Sequence, residues 1–330
     1  TYPYRNLAME EYMTLHVPRG TCILYLWQNR HTVVIGKNQN CWRECRVNFL
    51  EQEDGYLVRR LSGGGAVFHD LGNLNFTFIV GAGDYDVSRQ LDVILEAVRS
   101  LGIHAEKTGR NDITVDGRKF SGNAFYRTGD GCYHHGTILI RADKENMSRY
   151  LNVSKEKLAS KGVTSVKSRV ANLCEFKPDI TLEEVKSALV EAFSKVYGQP
   201  AVRMEEGELP QPDIDARTEK FASWQWKYGR KIPFEYEMEK RFPWGNIQIQ
   251  FHVDEGMIQD VNVFSDAMDQ EMIGMLAEQL KGCAYAEEDI CRAVKAVGTD
   301  AFQAGEYTGA DEPQSCRIKE DIMTLVRESL

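Results

Sequence analysis

The chain has 330 residues, of which 42% are hydrophobic and 27% are charged, an ordinary composition for a globular protein. Its 49 acidic and 40 basic side chains give a net charge of −9, which argues against general binding to nucleic acid or to an anionic membrane surface. No apolar run approaches the roughly 18 residues of a membrane-spanning helix.

The N-terminal part is predicted to contain one helix and three short strands. Residues 7–15 have an amphipathic helical pattern, whereas residues 21–28 and 31–37 have the pattern of buried strands around a polar turn. Residues 55–60 follow as a third strand. Glu10 and Glu11 interrupt the most apolar part of the helix, so the N-terminal segment does not match a secretion signal.

The next part of the chain mixes strands with a helix. Residues 65–70 and 74–80 are predicted to form a strand pair joined by a turn. Residues 86–103 have a helical period, and Gly102 is a natural stop. The segment 112–126 has an Asp-Gly turn between two strand-like runs, which is a strong hairpin signal.

A further strand is predicted at 134–140, and the clearest helix at 181–198, where Thr181 and Glu184 form a capping box. Residues 205–217 are polar and contain prolines, so they are predicted to be a surface connection.

The C-terminal part is predicted to hold a hairpin of residues 246–253 and 257–264, followed by three helices at 270–281, 286–297 and 317–329. Helices and strands are mixed without regular alternation, so the fold class is α+β with largely antiparallel sheets. We expect a large domain over residues 1–244 and a small α+β domain over residues 245–330.

The stretch RRLSGGGAVFHD, residues 59–70, is the first candidate site. Consecutive glycines expose backbone N–H groups that can form an anion-binding nest, and arginine has a charged fork suited to phosphate or carboxylate. The stretch is neither a Walker loop nor a dinucleotide-binding fingerprint, because the required spacings are missing. A surface turn with two solvated arginines is the alternative.

The second candidate is GRNDITVDGRKFSGNAFY, residues 109–126. Lys119 lies in a strand just past the hairpin turn, and the small residues Ser121, Gly122 and Ala124 leave room for a ligand. An edge-strand lysine that points to water is the alternative. A third stretch, KGVTSVKSRVANL at 161–173, has no strong period and is predicted to be a long loop.

Taken together and in this order, these stretches resemble the bacterial lipoate–protein ligase A family, of the lipoate and biotin ligase-like superfamily. The resemblance also includes NLAMEEY, LYLWQNRHTVVIGKNQN, YHHGTILI and SWQWKYG, and it spans essentially the whole chain. It implies a large α+β catalytic domain, shared in outline with biotin ligases, that binds lipoate and ATP, and a small accessory C-terminal domain.

The resemblance implies two reactions. The lipoate carboxylate first attacks the α-phosphate of ATP, and the lipoyl group of the resulting lipoyl-AMP then passes to a lysine of a lipoyl domain. The implied acceptors are lipoyl domains of 2-oxoacid dehydrogenase complexes and the glycine-cleavage H protein, with lipoate or octanoate as the acid substrate. ATP and Mg²⁺ are the implied cofactors, with no tightly bound prosthetic group. A cytoplasmic location is expected, because eight scattered cysteines without a CxxC pair favour a reducing compartment. A monomer is also expected.

Site residues follow from the matched motifs. Lys119 is the predicted catalytic residue, since a fixed cation is needed between two anions. The predicted ATP and adenylate contacts are Arg60, Ser62, Gly63, Gly64, Gly65, Ala66, Val67, Phe68, Asn111, Asp112, Lys119, Ser165, Val166 and Arg169. The predicted lipoate contacts are Leu7, Trp27, Arg60, Gly65, His69, Asn73, Lys119, Ala124 and His134. Asp112 is also the predicted magnesium contact.

Two alternatives remain from the sequence. An octanoyl- or lipoyl-transferase of the same fold would need an activated cysteine, and Cys132 is the nearest to the Lys119 strand. A catalytically inactive lipoyl-domain binder is the other, although Lys119, Arg60 and the glycine run argue against it. A biotin ligase is disfavoured, because RRxSGGG stands in place of the GRGR loop of that group.

Overall fold

A computed structural model describes residues 1–108, 112–152, 170–298 and 314–330. The chain divides into two compact units. The first comprises Thr1–Val34, Trp42–Arg59 and Ala66–Lys227, and the second comprises Ile35–Cys41, Arg60–Gly65 and Tyr228–Leu330. The glycine stretch therefore groups with the C-terminal part of the chain, and the sequence-based boundary between residues 244 and 245 falls inside the second unit.

The part of the chain before residue 140 that the structure describes contains nine strands. They are β1 (Cys22–Trp27), β2 (Thr32–Ile35), β3 (Tyr56–Arg59), β4 (Val67–His69), β5 (Asn73–Gly81), β6 (Glu106–Thr108), β7 (Asp112–Val115), β8 (Arg118–Arg127) and β9 (Gly131–Leu139). Among the described residues up to 228, the α-helices are α1 (Pro3–His16), α2 (Cys41–Glu44), α3 (Val47–Gln52), α4 (Val87–Ser100), α5 (Lys144–Tyr150), α6 (Leu182–Tyr197), α7 (Gln211–Ala222) and α8 (Trp224–Tyr228). Short 3-10 helices lie at Ala82–Asp84, Leu173–Glu175 and Glu206–Glu208.

A six-stranded antiparallel sheet in the order β1-β5-β9-β8-β7-β6 forms the centre of the first unit. Helix α1 covers one face, where Glu10 bonds to Thr77 and His135. Helices α4 and α6 cover the other face, and their side chains contact inward-pointing rings of β5 and β9. All nine residues of β5 are buried, as expected for a central strand with helices on both faces.

Strand β4 pairs with β2 in a separate three-stranded sheet, ordered β3-β2-β4, so the expected pairing of β4 with β5 is wrong. The turn itself exists, since Asp70 accepts hydrogen bonds from the N–H groups of Gly72 and Asn73. Strand β5 already has neighbours on both edges, β1 and β9, which leaves β4 to pair elsewhere.

Two helices show how far local sequence signals extend. Helix α6 has the predicted capping box of Thr181 and Glu184, and it ends at Gly198 with φ +73°. Helix α7 overlaps residues 205–217, which were predicted as a surface connection because they are polar and contain prolines. Only Ile214 and Phe221 of its twelve residues are buried. Ion pairs of Glu11 with Arg217 and Lys220 tie α7 to α1, so tertiary contacts stabilise a helix that has little apolar period.

The C-terminal part of the second unit contains β10 (Tyr236–Phe242), β11 (Gly245–Asp254), β12 (Met257–Ser265), α9 (Gln270–Leu280), α10 (Glu287–Ala296) and α11 (Gln314–Ser329). The three strands form an antiparallel sheet in the order β10-β11-β12. The predicted β11–β12 hairpin is confirmed, with left-handed Glu255 and Gly256 at its turn. Apolar side chains of the sheet and the helices share one core.

Three general features of the described part of the chain bear on the predictions from the sequence. No helix there combines the length and the apolar character needed to cross a membrane. All eight cysteines lie in this part, and all are free thiols. The α+β class with largely antiparallel sheets and a C-terminal α+β unit is confirmed.

Candidate functional site

A β-bulge aims the Lys119 side chain. The β7–β8 turn has left-handed Asp116 and Gly117, as the Asp-Gly signal predicts. Across the hairpin, Asp112 pairs with Gly122 and Thr114 pairs with Lys119, so β8 has one more residue than β7 over this stretch. Because side chains alternate along a strand, the extra residue turns Lys119 onto the same face as Asp112.

The Lys119 ammonium is held by a carboxylate. Its Nζ lies 2.6 Å from Asp112 Oδ1, and the two side chains are 20% and 18% exposed. The backbone of Lys119 is also fixed, because its carbonyl accepts a hydrogen bond of 2.9 Å from the N–H of Ala171. The lysine is therefore a positioned cation with residual access to solvent, and it does not project freely into water.

One row of residues crosses the face of the sheet that carries Lys119. Trp27 pairs with Asn75, Asn75 pairs with Thr137, and Asp112 pairs with Gly122. Thr137 joins the two halves of this row, because its Oγ1 accepts a hydrogen bond of 3.2 Å from Gly122 N–H. The register therefore brings the predicted residues Trp27 and Asp112 onto one face, which is the face that α1 covers.

The neighbouring row on this face contains a buried hydrogen-bond relay. Trp27 Nε1 donates to Thr77 Oγ1 (2.9 Å), which donates to Glu10 Oε1 (2.7 Å). His135 Nδ1 lies 2.9 Å from the same Glu10 oxygen, and the predicted residue Ala124 pairs with His135 across β8 and β9. Glu10 and His135 were not among the residues predicted from the sequence, although a glutamate inside an apolar helix segment is a signal for a buried polar contact.

His134 lies on the opposite face of the sheet, away from Lys119. Its ring packs among Phe76, Phe78 and Phe125. In the neutral ring Nε2–H donates to Asn123 Oδ1 (2.8 Å). Burial lowers the pKa of His134 to about 3, so the ring is uncharged at neutral pH. The structure does not bring this predicted lipoate contact together with the lysine.

Three other predicted lipoate contacts lie in the first unit. His69 Nδ1 is 3.2 Å from Asn29 Nδ2, and the His69 ring packs edge-on against Trp27 with centroids 6.3 Å apart. Asn73 Nδ2 donates to Asn75 Oδ1 (2.9 Å), which links Asn73 to the row described above. Leu7 is buried within α1.

The two arginines of the glycine stretch have different partners. Both are buried, so the alternative of a turn with solvated arginines is wrong. Arg59 donates to the carbonyls of Trp226 (2.9 Å) and Lys227 (2.8 Å). Arg60 donates to Ser62 Oγ (3.0 Å) and, from Nη2, to the carbonyls of Gly63 (2.6 Å) and Gly65 (2.9 Å). Arg60 thus braces the glycine loop from inside.

The glycines of this loop allow backbone to approach backbone. Gly64 has φ +87° and donates its N–H to the carbonyl of Ala267 (3.1 Å). A Cβ at Gly63 would lie 2.4 Å from the Ala267 oxygen and 2.6 Å from the Met268 oxygen. Neither backbone oxygen can move away cheaply, so the loop requires glycine at position 63 within the second unit.

Some of the remaining predicted nucleotide contacts lie in the described part of the chain, and others lie outside it. Phe68 is buried and stacks on Tyr150 with centroids 5.4 Å apart, whereas Ala66 and Val67 are partly exposed. Four predicted contacts lie outside the described residues, namely Asn111, Ser165, Val166 and Arg169. In the described ranges, no three His, Cys, Asp or Glu side chains are close enough to hold a metal ion by themselves.

Cys132 does not have the environment of a catalytic nucleophile. It is fully buried in β9, and burial raises the pKa of its thiol to about 11. A catalytic cysteine needs a lowered pKa and access to substrate.

Comparison with known families identifies both parts of the chain. Residues 2–194 match the lipoyl protein ligase A/B catalytic domain, and residues 231–309 match the bacterial lipoate protein ligase C-terminus. The lipoate-protein ligase A of Psychrobacter cryohalolentis is 41% identical over 298 residues, which cover 88% of this chain and 88% of that protein.

Solved structures agree with this comparison. P. falciparum LipL1, solved in complex with lipoate, has a TM-score of 0.80 and 30% identity, covering 97% of this chain and 96% of that one. A bipartite lipoate protein ligase of Thermoplasma acidophilum, described with its E2 lipoyl domain, has a TM-score of 0.61 and 27% identity over 70% of this chain and 94% of that one. A lipoate-protein ligase A bound with ATP has a TM-score of 0.60 and 25% identity, covering 69% of this chain and 94% of that one.

Proposed function

The chain belongs to the lipoate–protein ligase A family, and we propose that it converts lipoate and ATP to lipoyl-AMP and passes the lipoyl group to a lysine of a lipoyl domain. It is an enzyme, a ligase that joins lipoate to protein. The observation that carries the proposed mechanism is the Lys119 ammonium, which the bulge and Asp112 hold in place.

In the first step a lipoate carboxylate oxygen forms a bond to the α-phosphorus of ATP. The bond from that phosphorus to the bridging oxygen breaks, and pyrophosphate leaves with the electron pair. Two anions must approach each other, so a preorganised cation lowers the barrier. Lys119 performs this role in its ordinary protonated form, with its ammonium bridging the carboxylate and the α-phosphate.

The glycine stretch supplies the nucleotide contacts of this proposal. Arg60 and the 62–68 segment (Ser62, Gly63, Gly64, Gly65, Ala66, Val67 and Phe68) are assigned to phosphate and adenylate. Arg60 already donates to two loop carbonyls, so it would order the loop as well as provide charge. Asn111, Ser165, Val166 and Arg169 are assigned to the adenylate from the sequence alone.

In the second step the ε-amine of the acceptor lysine attacks the acyl carbon of the mixed anhydride. An amide bond forms, the acyl–oxygen bond breaks, AMP leaves with the electron pair, and the amine gives up one proton. Lys119 polarises the acyl carbonyl in this step. The 161–173 segment is assigned to excluding water from the anhydride.

Lipoate is assigned to the sheet face that α1 covers. The apolar acyl chain needs apolar side chains beside it, and the few polar groups of such a slot fix the orientation of the ligand. Trp27 and Ala124 lie on this face beside the Glu10–His135 pair, with Leu7, His69 and Asn73 assigned nearby. Arg60 and Gly65 are assigned to the carboxylate end. His134 is the one assigned residue whose ring lies on the far face.

Mg²⁺ is proposed to accompany ATP. This ion is commonly held by one or two carboxylates together with substrate phosphates. Asp112 fits that requirement, because it is a partly exposed carboxylate beside the lysine. When bound, the ion would neutralise the departing pyrophosphate.

Partners and context complete the proposal. The acceptors are lipoyl domains of 2-oxoacid dehydrogenase complexes and the glycine-cleavage H protein, and the T. acidophilum relative described with an E2 lipoyl domain supports the first class. Residues 1–244 are assigned to catalysis and residues 245–330 to an accessory role. The enzyme is proposed to act as a cytoplasmic monomer on free lipoate or octanoate.

The test is incubation of the protein with ATP, Mg²⁺, lipoate and an unmodified lipoyl domain, followed by intact mass measurement. A mass gain of one lipoyl group on the domain that requires ATP is the expected result. Transfer without ATP would instead support a thioester enzyme, and no transfer together with tight domain binding would support an inactive binder.

A further inference from the structure

The Lys119 ammonium occupies the space into which a side chain at position 122 would project. A Cβ built at Gly122 would be 2.5 Å from Lys119 Nζ and 2.6 Å from Lys119 Cε. Favourable contact between such atoms needs about 3.5–4.0 Å, so a methyl group there would displace the ammonium by about 1 Å. The space that the ammonium occupies exists because residue 122 has no side chain.

This proximity follows from the bulge. Lys119 and Gly122 are three residues apart, and in a regular strand such residues face opposite sides of the sheet. The extra residue between them brings both to the face of Asp112, which pairs with Gly122 in the register and with Lys119 through its carboxylate. Glycine at 122 and carboxylate at 112 therefore fix the ammonium from two sides.

We infer that Gly122 is a positioning residue for the Lys119 ammonium, and that it sets the reach of the catalytic cation toward the reacting groups. The inference rests on the proposed function. Gly122 is not among the left-handed residues of the chain, so alanine fits its backbone without strain. Alanine is also more favourable than glycine inside a strand. Gly122→Ala should therefore reduce catalysis without weakening the fold.

The experiment measures lipoate-dependent pyrophosphate release at saturating ATP and lipoate in Gly122→Ala. A 1 Å misplacement of a catalytic group can cost about 10²-fold in rate, so kcat should fall by about that factor. The melting temperature should stay close to that of the parent, because the advantage of alanine over glycine in a strand offsets the weakened Lys119–Asp112 ion pair. Gly129→Ala is the matched control, because a Cβ there meets nothing within 4 Å and the backbone is not left-handed.

A double variant separates positioning from general damage. If Gly122 acts only through the lysine, Gly122→Ala should cause no further loss in a Lys119→Met background. A Gly122→Ala enzyme with parental kcat, or a double variant much slower than Lys119→Met alone, would overturn the inference. A parent protein that releases no pyrophosphate would instead refute the proposed function, so the two failures are distinguishable.

Discussion

Replacing Lys119 with methionine keeps the length of the side chain and removes its charge. In the proposed mechanism the lysine is the cation that the first step needs, and loss of one preorganised electrostatic contact at a transition state costs about 10²–10³ in rate. Adenylation, followed by lipoate-dependent pyrophosphate release, should therefore fall by at least that factor in Lys119→Met. Transfer from supplied lipoyl-AMP should fall as well, because the same charge polarises the acyl carbonyl.

The structure also gives the cost to folding. Lys119→Met leaves Asp112 without its ion-pair partner at 2.6 Å. Breaking a fully buried pair costs about 3–5 kcal/mol, whereas exposed pairs contribute about 0–1 kcal/mol. With both side chains about one-fifth exposed, an intermediate loss of about 1–3 kcal/mol is expected. Urea unfolding measures this loss directly.

A second substitution separates stability from catalysis. Asp112→Asn in the Lys119→Met background removes the carboxylate charge that Lys119 balanced, so the free energy of unfolding should recover in part while pyrophosphate release stays low. Lys119→Arg keeps the charge, but its larger planar group must fit above Gly122, so it should restore only part of the rate. Pyrophosphate release by Lys119→Met at a near-parental rate would show that the site is assigned to the wrong residue.

Three further predictions concern other residues. Cys132→Ala should keep ATP-dependent lipoylation within a few-fold of the parent. Loss of lipoylation in this variant, together with an acyl adduct detected by mass on the parent enzyme, would contradict this. Because the pKa of His134 is about 3 in the folded chain, below its ordinary value of 6.5, protonation favours unfolding. The free energy of unfolding should thus fall by up to about 1.4 kcal/mol per pH unit below 6.5, a slope that His134→Gln should remove, as pH-dependent urea unfolding can check. Gly63→Ala should destabilise the protein by about 1–3 kcal/mol through overpacking. Gly274→Ala should not, because a Cβ there meets nothing within 4 Å. A Gly63→Ala variant as thermally stable as the parent would refute the close approach of the two backbones.

Features that depend on a few adjacent residues were predictable from the sequence. The Asp116–Gly117 turn and the capping box of Thr181 and Glu184 appear as expected, because each needs only backbone and side chains within four residues. The position of Lys119 in the strand that follows the hairpin turn was predictable for the same reason. Such signals place a residue on an element, and they leave open which neighbours it meets.

Features that depend on distant chain segments were not predictable. Arg59 donates to the carbonyls of Trp226 and Lys227, which lie 167 and 168 positions along the chain. The need for Gly63 comes from Ala267 and Met268, about two hundred positions along the chain. A glycine run indicates close approach of something, and only the fold identifies the approaching backbone.

The adjacent histidines of strand β9 show why a motif does not settle which of its residues acts. Successive side chains of a strand point to opposite faces, so His134 and His135 cannot both face the lysine. The register through β5 and β8 places His135 opposite Thr77 and Ala124, on the face of Trp27 and Lys119. The same register places His134 among phenylalanines, where a charged ring is disfavoured. A difference of one residue in the register therefore places the second histidine on the face of Lys119 and the first in the core.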